Sequence, residues 1–306
     1  MKMTKWGGRV AFSGASGMLG RALMRGVSAR GAPILQLVRR APAGPDELQW
    51  SPGAEPALAD RAPIEGLFAA VHFSGANVAA HRWTAAYRRE MTESRVGSTA
   101  TLARVLAGLQ KPPQVLLAAS AIGIYGDRGE DYLDERSPAG SGFLAELCRQ
   151  WEAAAAPAVE AGIRVVHLRF GVVLAPGAGA LGKMLPVFRL GLGGRLGSGR
   201  QWMSWISLED AVNAMIFALE TPELSGPVNL TASSPVTNAE FTRVLATRLN
   251  RPALLPVPAF ALRLAFGQMA DETMLSSARV FPGRLTAADF LFRHPVLPDA
   301  LTAALG

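Results

Sequence analysis

Residues 14–20 read Gly14-Ala15-Ser16-Gly17-Met18-Leu19-Gly20. They stand between a short apolar run, residues 9–13 (RVAFS), and a segment, residues 18–30, that carries Leu19, Leu23 and Val27 at helical spacing. Strand, glycine turn, helix is the order that decides the reading of the chain. The three glycines have separate jobs: a tight turn at Gly14, close approach of a pyrophosphate at Gly17, and helix–strand contact at Gly20. The first-turn amides of the helix lack intrahelical partners, and together with the helix dipole they favour bound phosphate. A glycine-rich turn can simply join a strand to a helix. Its place at the head of a strand–helix–strand unit is what makes this one a dinucleotide loop.

Working outward, residues 33–38 (PILQLV) form the second strand, which runs into Arg39-Arg40 and a Pro/Gly-rich loop. An NAD site would carry Asp or Glu there, to accept bonds from the adenosine ribose. Arginine instead offers a charge-assisted, bidentate grip on a 2′-phosphate. Arg39 and Arg40 therefore point to NADP(H), with a solvated basic loop as the alternative reading.

The pattern recurs. Residues 67–73 and 115–119 are apolar strand candidates, with a long helix at 84–109 between them that Pro112-Pro113 closes. A helix at 143–161 ends at Gly162 and leads into a strand at 163–169. Strands this continuously apolar belong to a sheet covered on both faces. The expected fold is α/β, a Rossmann-type doubly wound parallel sheet over residues 1–173. A smaller, mostly helical C-terminal lobe on the substrate side is expected over 174–306, with helices at 183–190 and 208–219 and a short strand near 228–229. Ligands of such sheets lie beyond the carboxyl ends of the strands. That adds Phe73, Ser74 and Gly75, and Ser120 beside the nicotinamide ribose, to the cofactor-contact candidates Gly14, Ser16, Gly17, Met18, Leu19 and Gly20.

Composition narrows the remaining classes. With 306 residues, 49% of them hydrophobic, the chain can bury a substantial core. Its single cysteine, Cys148, excludes an internal disulfide and reads as a small buried apolar residue. The first nine residues hold no apolar run of the signal-peptide kind, and no apolar stretch approaches membrane-spanning length. A cytoplasmic protein without a membrane partner is expected. The formal charge of +7 comes from scattered arginines without interleaved aromatics or a helix-turn-helix pattern, which argues against nucleic acid. His72, His81, His167 and His294 lack ligand spacing, so no metal is expected. A small-molecule partner and a monomer or homodimer complete the expectation.

Further stretches carry a resemblance. FSGANVAAHRW (73–83), ESRVGST (93–99), ASAIGIYG (119–126), RFGVVLAPGAGAL (169–181), FRLGLGGRLGSGRQWMSWISLEDA (188–211), PVPAFALRLAFG (256–267) and RVFPGRL (279–285) span nearly the whole chain. They resemble the extended short-chain dehydrogenase/reductases. Within these they resemble the epimerase-family subgroup with a short C-terminal domain of unknown function, some of whose members resemble plastid and cyanobacterial proteins linked to cell division. The resemblance implies NADP(H) contacts at Ser16, Gly17, Met18, Leu19, Arg39, Arg40, Phe73 and Ser74, with Glu90 and Arg95 facing the cofactor and Val173 at the nicotinamide end.

The catalytic residues of that superfamily do not carry over. A Tyr-x-x-x-Lys pair should follow the fifth strand, but residues 143–148 read FLAELC. Aligned on Tyr125-Gly126, the usual Ser/Thr falls at Ala121, with Ser120 one residue earlier. Ser120 and Tyr125 are the catalytic candidates that remain. Glu146 could serve as a buried acid but reads more readily as a helix-surface carboxylate; Arg200, Trp202 and Trp205 could hold a substrate or equally pack the lobe against the sheet; Asp210 reads as a local cap or pair near a helix start. The favoured function is an NADP(H)-dependent oxidoreductase or epimerase-like enzyme for a small polar substrate, a nucleotide-linked one among the options; the alternative is a non-catalytic NADP(H)-binding regulator or redox sensor.

Overall fold

The apolar runs beside the glycine turns become strands whose side chains divide by parity between two cores. In the computed structural model, which describes residues 6–306, the chain begins with β1 (Val10–Ser13), α1 (Met18–Ala29), β2 (Ile34–Val38), β3 (Glu47–Gln49) and β4 (Ala69–His72). There follow α2 (Ala85–Thr92), a π-helical turn (Glu93–Gly97), α3 (Ser98–Ala107), β5 (Val115–Ala121), β6 (Tyr132–Leu133), α4 (Phe143–Ala153), α5 (Ala156–Glu160), β7 (Arg164–Phe170) and β8 (Val172–Leu174). Then come α6 (Gly179–Arg189), β9 (Trp202–Met203), β10 (Trp205–Ser207), α7 (Leu208–Glu220) and β11 (Gly226–Leu230). The last part holds β12 (Val236–Thr237), α8 (Asn238–Leu249), α9 (Ala259–Phe266), a second π-helical turn (Ala270–Met274), β13 (Arg279–Val280), α10 (Gly283–Ala287) and α11 (Leu297–Leu305).

Seven strands make one parallel sheet in the order β11-β7-β5-β4-β1-β2-β3. Val10, Phe12, Val115, Leu117, Val166 and Leu168 face one layer, where α1 lies against α7. Ala11, Leu35, Leu116, Ala118 and Val165 face the other, beneath α3 and α5. Burial on both faces is why the central strands β1, β4 and β5 read as apolar runs, while the edge strand β3 alternates as Glu47-Leu48-Gln49. The connections leave β1 in opposite directions, to β2 on one side and β4 on the other. The resulting crevice opens above the glycine turn.

The expected elements change in three places. The helix at 84–109 is interrupted by the π-helical turn that carries Arg95. The helix at 143–161 breaks after Ala153, because Pro157 has no N–H for the carbonyl four residues back. The division at residue 174 is not a cut in space: α7 packs on α1 and β11 forms the sheet edge beside β7, so residues 208–230 return to the main body. What stands apart is a third core of Leu181, Leu185, Phe188, Trp205, Phe241, Leu245 and Leu301 from α6, β10, α8 and α11. Among the described residues no helix is long and apolar enough to cross a membrane.

Candidate functional site

The glycine turn closes the carboxyl end of β1 against β4. Gly14 has φ +75°, and a Cβ there would meet the Phe73 carbonyl carbon at 2.6 Å. A Cβ on Gly20 would meet the Gly14 oxygen at 2.5 Å, so helix and turn touch through backbone alone. Gly17 differs: its nearest obstacle is the Gly14 oxygen at 3.4 Å, which leaves that side open. Gly17 is also the N-cap of α1, where no side chain caps the helix and no acidic residue stands in the first turn. The open glycine and uncapped amides of Met18 and Leu19 form a cradle for an anion.

Beneath it lies a chain of small polar groups. Ser13 Oγ is 2.5 Å from Ser74 Oγ and 2.9 Å from His72 Nδ1, and His72 Nε2 is 3.1 Å from Ser98 Oγ. Ser98 gives its hydroxyl proton to the Ser94 carbonyl at 2.6 Å. His72 Nε2 must then donate, Nδ1 accepts from Ser13, and Ser13 accepts from Ser74. His72 is wholly buried, and burial lowers its pKa to about 4, so the ring is neutral. The sequence had offered His72 only as a non-ligand. Its role is to fix the strand ends that carry Phe73, Ser74 and Gly75.

The two arginines after β2 part company. Ser13 of β1 pairs with Leu37 of β2, so Arg39 follows two residues beyond the level of the turn. It is exposed, and among the described residues its side chain has no hydrogen-bond or ionic partner. Arg40 instead donates twice to Glu47, at 2.7 and 2.6 Å, which raises the guanidinium pKa and lowers that of the carboxylate. Arg21, not singled out from the sequence, reaches back from α1 to the Ser16 carbonyl and brings another cation to the turn.

Arg95 and Glu90 do not share a location. Arg95 is buried behind Gly75, donating to the Ala76 carbonyl at 2.8 Å and the Met91 carbonyl at 3.2 Å, with its guanidinium carbon 5.1 Å from the Trp151 ring centre. It supports the wall of the crevice from behind. Glu90 is exposed on α2. Val173 reaches the mouth from the opposite side: an added Cβ at Gly179 would lie 3.6 Å from the Val173 oxygen and 3.7 Å from Met18 Sδ. From there α6 crosses the opening, and Lys183 Nζ donates to the Ala79 carbonyl at 2.9 Å.

Ser120 and Tyr125, the catalytic candidates of the sequence, belong to a buried network. Ser120 donates to Glu152 Oε1 at 2.7 Å, and Arg169 binds both Glu152 oxygens at 2.8 Å. Arg169 also donates to the Tyr125 hydroxyl at 2.9 Å, which in turn donates to Asn229 Oδ1 at 2.8 Å. Tyr125 is 0% exposed. Burial, opposed by Arg169 and Asn229, leaves its pKa raised. Burial would raise Glu152 too, but the bonds and charge of Arg169, with the Ser120 hydroxyl, hold it below its ordinary value. Each hydroxyl already gives its proton to an acceptor within the protein, Ser120 to Glu152 and Tyr125 to Asn229.

The other candidates also have structural partners. Glu146 is half-buried and pairs with Arg149. Where the superfamily pair would stand, the first turn of α4 is capped from the C-terminal part, Glu272 accepting from the Phe143 and Leu144 amides at 3.1 and 2.7 Å. Trp205 is in the third core, and Trp202 donates to Glu130 at 2.6 Å. Arg200 lies exposed on a loop. Asp210 exchanges bonds with Ser207 as a cap and also accepts from the Arg293 and His294 amides at 2.7 and 2.9 Å. Cys148 is buried, and that burial pushes its thiol up to about 12. Among the described residues no group of three or more His, Cys, Asp or Glu could hold a metal ion.

With this crevice in view, residues 10–230 match the family described as the NAD dependent epimerase/dehydratase family. The chain belongs to that family. Residues 257–304 match a domain of unknown function, DUF1731, which supplies α9, α10, α11 and the Glu272 cap. An epimerase family protein of Mycobacterium bovis, Mb2239, is 46% identical over 292 residues, 95% of this chain and 96% of that one. The epimerase family protein SDR39U1 of Bos taurus is 38% identical over 300 residues, 96% of this chain and 98% of its own length. A crystal structure of human SDR39U1, isoform 2, with NADPH superposes with a TM-score of 0.87 at 33% identity, covering 97% of this chain and 98% of that one. This epimerase-family chain therefore shares nearly all of its length, C-terminal domain included, with relatives from bacteria to mammals.

Proposed function

We propose that this chain binds NADP(H) in the crevice above β1 and β4, with the pyrophosphate at the start of α1 and the 2′-phosphate on Arg39. The cradle fits such a group: Gly17 is open, α1 is uncapped, and Arg39 carries an unneutralised charge beside them. The NADPH-bound human relative supports NADP over NAD. Arg40, tied to Glu47, is the secondary contact.

The cofactor would supply hydride exchange at its nicotinamide. The observation that carries the functional reading is that no Tyr or Lys stands at 143–148, while Ser120 and Tyr125 are locked in the Glu152–Arg169 network. The superfamily's usual proton-transfer pair has no counterpart at 143–148, which supports the reading of an NADP(H)-binding regulator or redox sensor. One observation favours a second reading, an oxidoreductase for a small molecule: α6 spans the mouth, and Lys183 would give a bound substrate a cationic roof.

Nicotinamide fluorescence titration tests the binding. NADPH should bind more tightly than NADH, and Arg39→Asp should remove the difference. Equal affinities for the two cofactors would overturn it. Bound NADPH that stays reduced through a panel of sugar nucleotides and small carbonyl compounds would support the sensor; stoichiometric oxidation by one of them would establish the enzyme.

A further inference from the structure

Residues 259–266 (AFALRLAF) form α9, a helix that is apolar on every side except at Arg263. A helix of that composition belongs in a core, yet Leu262 is its one buried side chain. Phe260 and Leu264, one turn apart on the same face, are 72% and 76% exposed. The chain beside α9 continues the pattern. Residues 189–197 and 251–257 run along each other. The Val257 amide donates to the Arg195 oxygen and the Gly197 amide to the Val257 oxygen, both at 2.8 Å, and Arg251 Nε donates to the Arg189 oxygen at 2.9 Å. A Cβ on Gly197 would lie 3.7 Å from that of Ala259, so this seam meets the start of α9. The seam carries Leu190, Leu192, Leu254 and Leu255, each more than half exposed.

These six side chains are half of the twelve large apolar ones that the described residues leave exposed. Together they open roughly 700 Å² of apolar surface, above the roughly 300–600 Å² of the largest patch on a typical monomer. The face is also held in place: Arg82 donates to the Leu264 oxygen at 2.9 Å, and Leu262 anchors the helix from below. A preformed apolar face of this size marks a surface that meets a partner.

The charges around it select that partner. Residues 187–200 and 250–267 contain Arg189, Arg195, Arg200, Arg251 and Arg263, and no Asp or Glu. Among the described residues only Arg263 of these meets a carboxylate, Asp271 at 2.8 Å. A second copy related by a two-fold axis would set this basic border against itself. A bilayer with anionic headgroups satisfies both features, because acyl chains take up the leucines and the phenylalanine while arginines stay at headgroup level.

We infer that α9 and the seam beside it dock the protein on an anionic lipid bilayer. The contact is peripheral, since no described helix is long and apolar enough to span one. It shares no residue with the glycine turn or Arg39, so it stands whatever the fate of the NADP(H) reading.

Co-sedimentation with lipid vesicles is the test. The wild-type chain should bind vesicles of phosphatidylcholine mixed with phosphatidylglycerol at least about tenfold more tightly than vesicles of phosphatidylcholine alone, and added salt should weaken that binding. Phe260→Ser/Leu264→Ser should bind at least about tenfold more weakly, as should Leu254→Ser/Leu255→Ser, because each removes two inserting side chains. Both variants should melt with the wild type, since these side chains support no core. Failure of the wild type to bind phosphatidylglycerol vesicles, or equal binding to both kinds of vesicle, would overturn the inference. So would undiminished binding by the Phe260/Leu264 variant. A wild-type dimer in analytical ultracentrifugation that the same serine substitutions separate into monomers would also overturn it, and would assign the face to a second copy.

Discussion

Among the described residues Arg39 has no counter-charge, whereas the residue next to it gives its guanidinium to Glu47. The sequence presented them as a pair, because nothing in the order of residues shows that β3 brings Glu47 under one of them. Arg39→Asp should weaken NADPH binding by about tenfold to a hundredfold, the worth of a charge-assisted phosphate contact, while Arg40→Ala should change it far less. Paired fluorescence titrations check this. Tyr125 was legible as a strand-end residue, but its burial was not. Tyr125→Phe should lower unfolding stability by about 1–3 kcal/mol in urea titrations, because Arg169 and Asn229 lose a buried partner, and leave NADPH affinity unchanged. His72 makes a pH-dependent contribution. Its folded pKa of about 4 lies below the ordinary 6.5, so between those values the unfolded chain binds the extra proton. Stability from this group is complete above pH 6.5 and declines as pH falls towards 4, by on the order of 3 kcal/mol. In urea titrations at several pH values, His72→Gln should flatten the slope in that window.

Among the elements, the glycine turn was the most legible, since each glycine answers a steric demand that acts within a few residues. The structure separates those demands. Gly17 has ordinary negative φ and open space, so Gly17→Ala should melt within a degree or two of wild type, yet bind NADPH at least about tenfold more weakly because its methyl occupies the phosphate approach. Gly14→Ala meets both positive φ and the Phe73 carbonyl, and should melt well below wild type. Thermal melts beside NADPH titrations distinguish the two cases. Helix endings were less legible where a tertiary partner sets them. The π-helical turn at Glu93–Gly97 places Arg95 against Gly75 and Trp151, and its local sequence reads as uninterrupted helix.

Across the whole molecule, the C-terminal segment is held to the sheet layer by a few buried acceptors. Asp210 is 0% exposed and serves the Ser207 hydroxyl and the Arg293 and His294 amides. Asp210→Ala should cost about 3 kcal/mol, by stranding these donors, and should expose the segment after residue 290 to limited proteolysis before the sheet unfolds. The expected boundary at residue 174 followed a change of texture in the sequence, whereas the chain crosses back through α7 and β11. The sequence by itself determined the parallel sheet, the glycine cradle and the absence of a Tyr-x-x-x-Lys pair, since these rest on periodicity, local sterics and residue identity. Only the tertiary structure decided which of the two arginines after β2 is tied to a carboxylate, and that Ser120 and Tyr125 sit in a buried network. Such pairings depend on side chains far apart in the chain, whose burial and counter-charges exist only once the layers have packed.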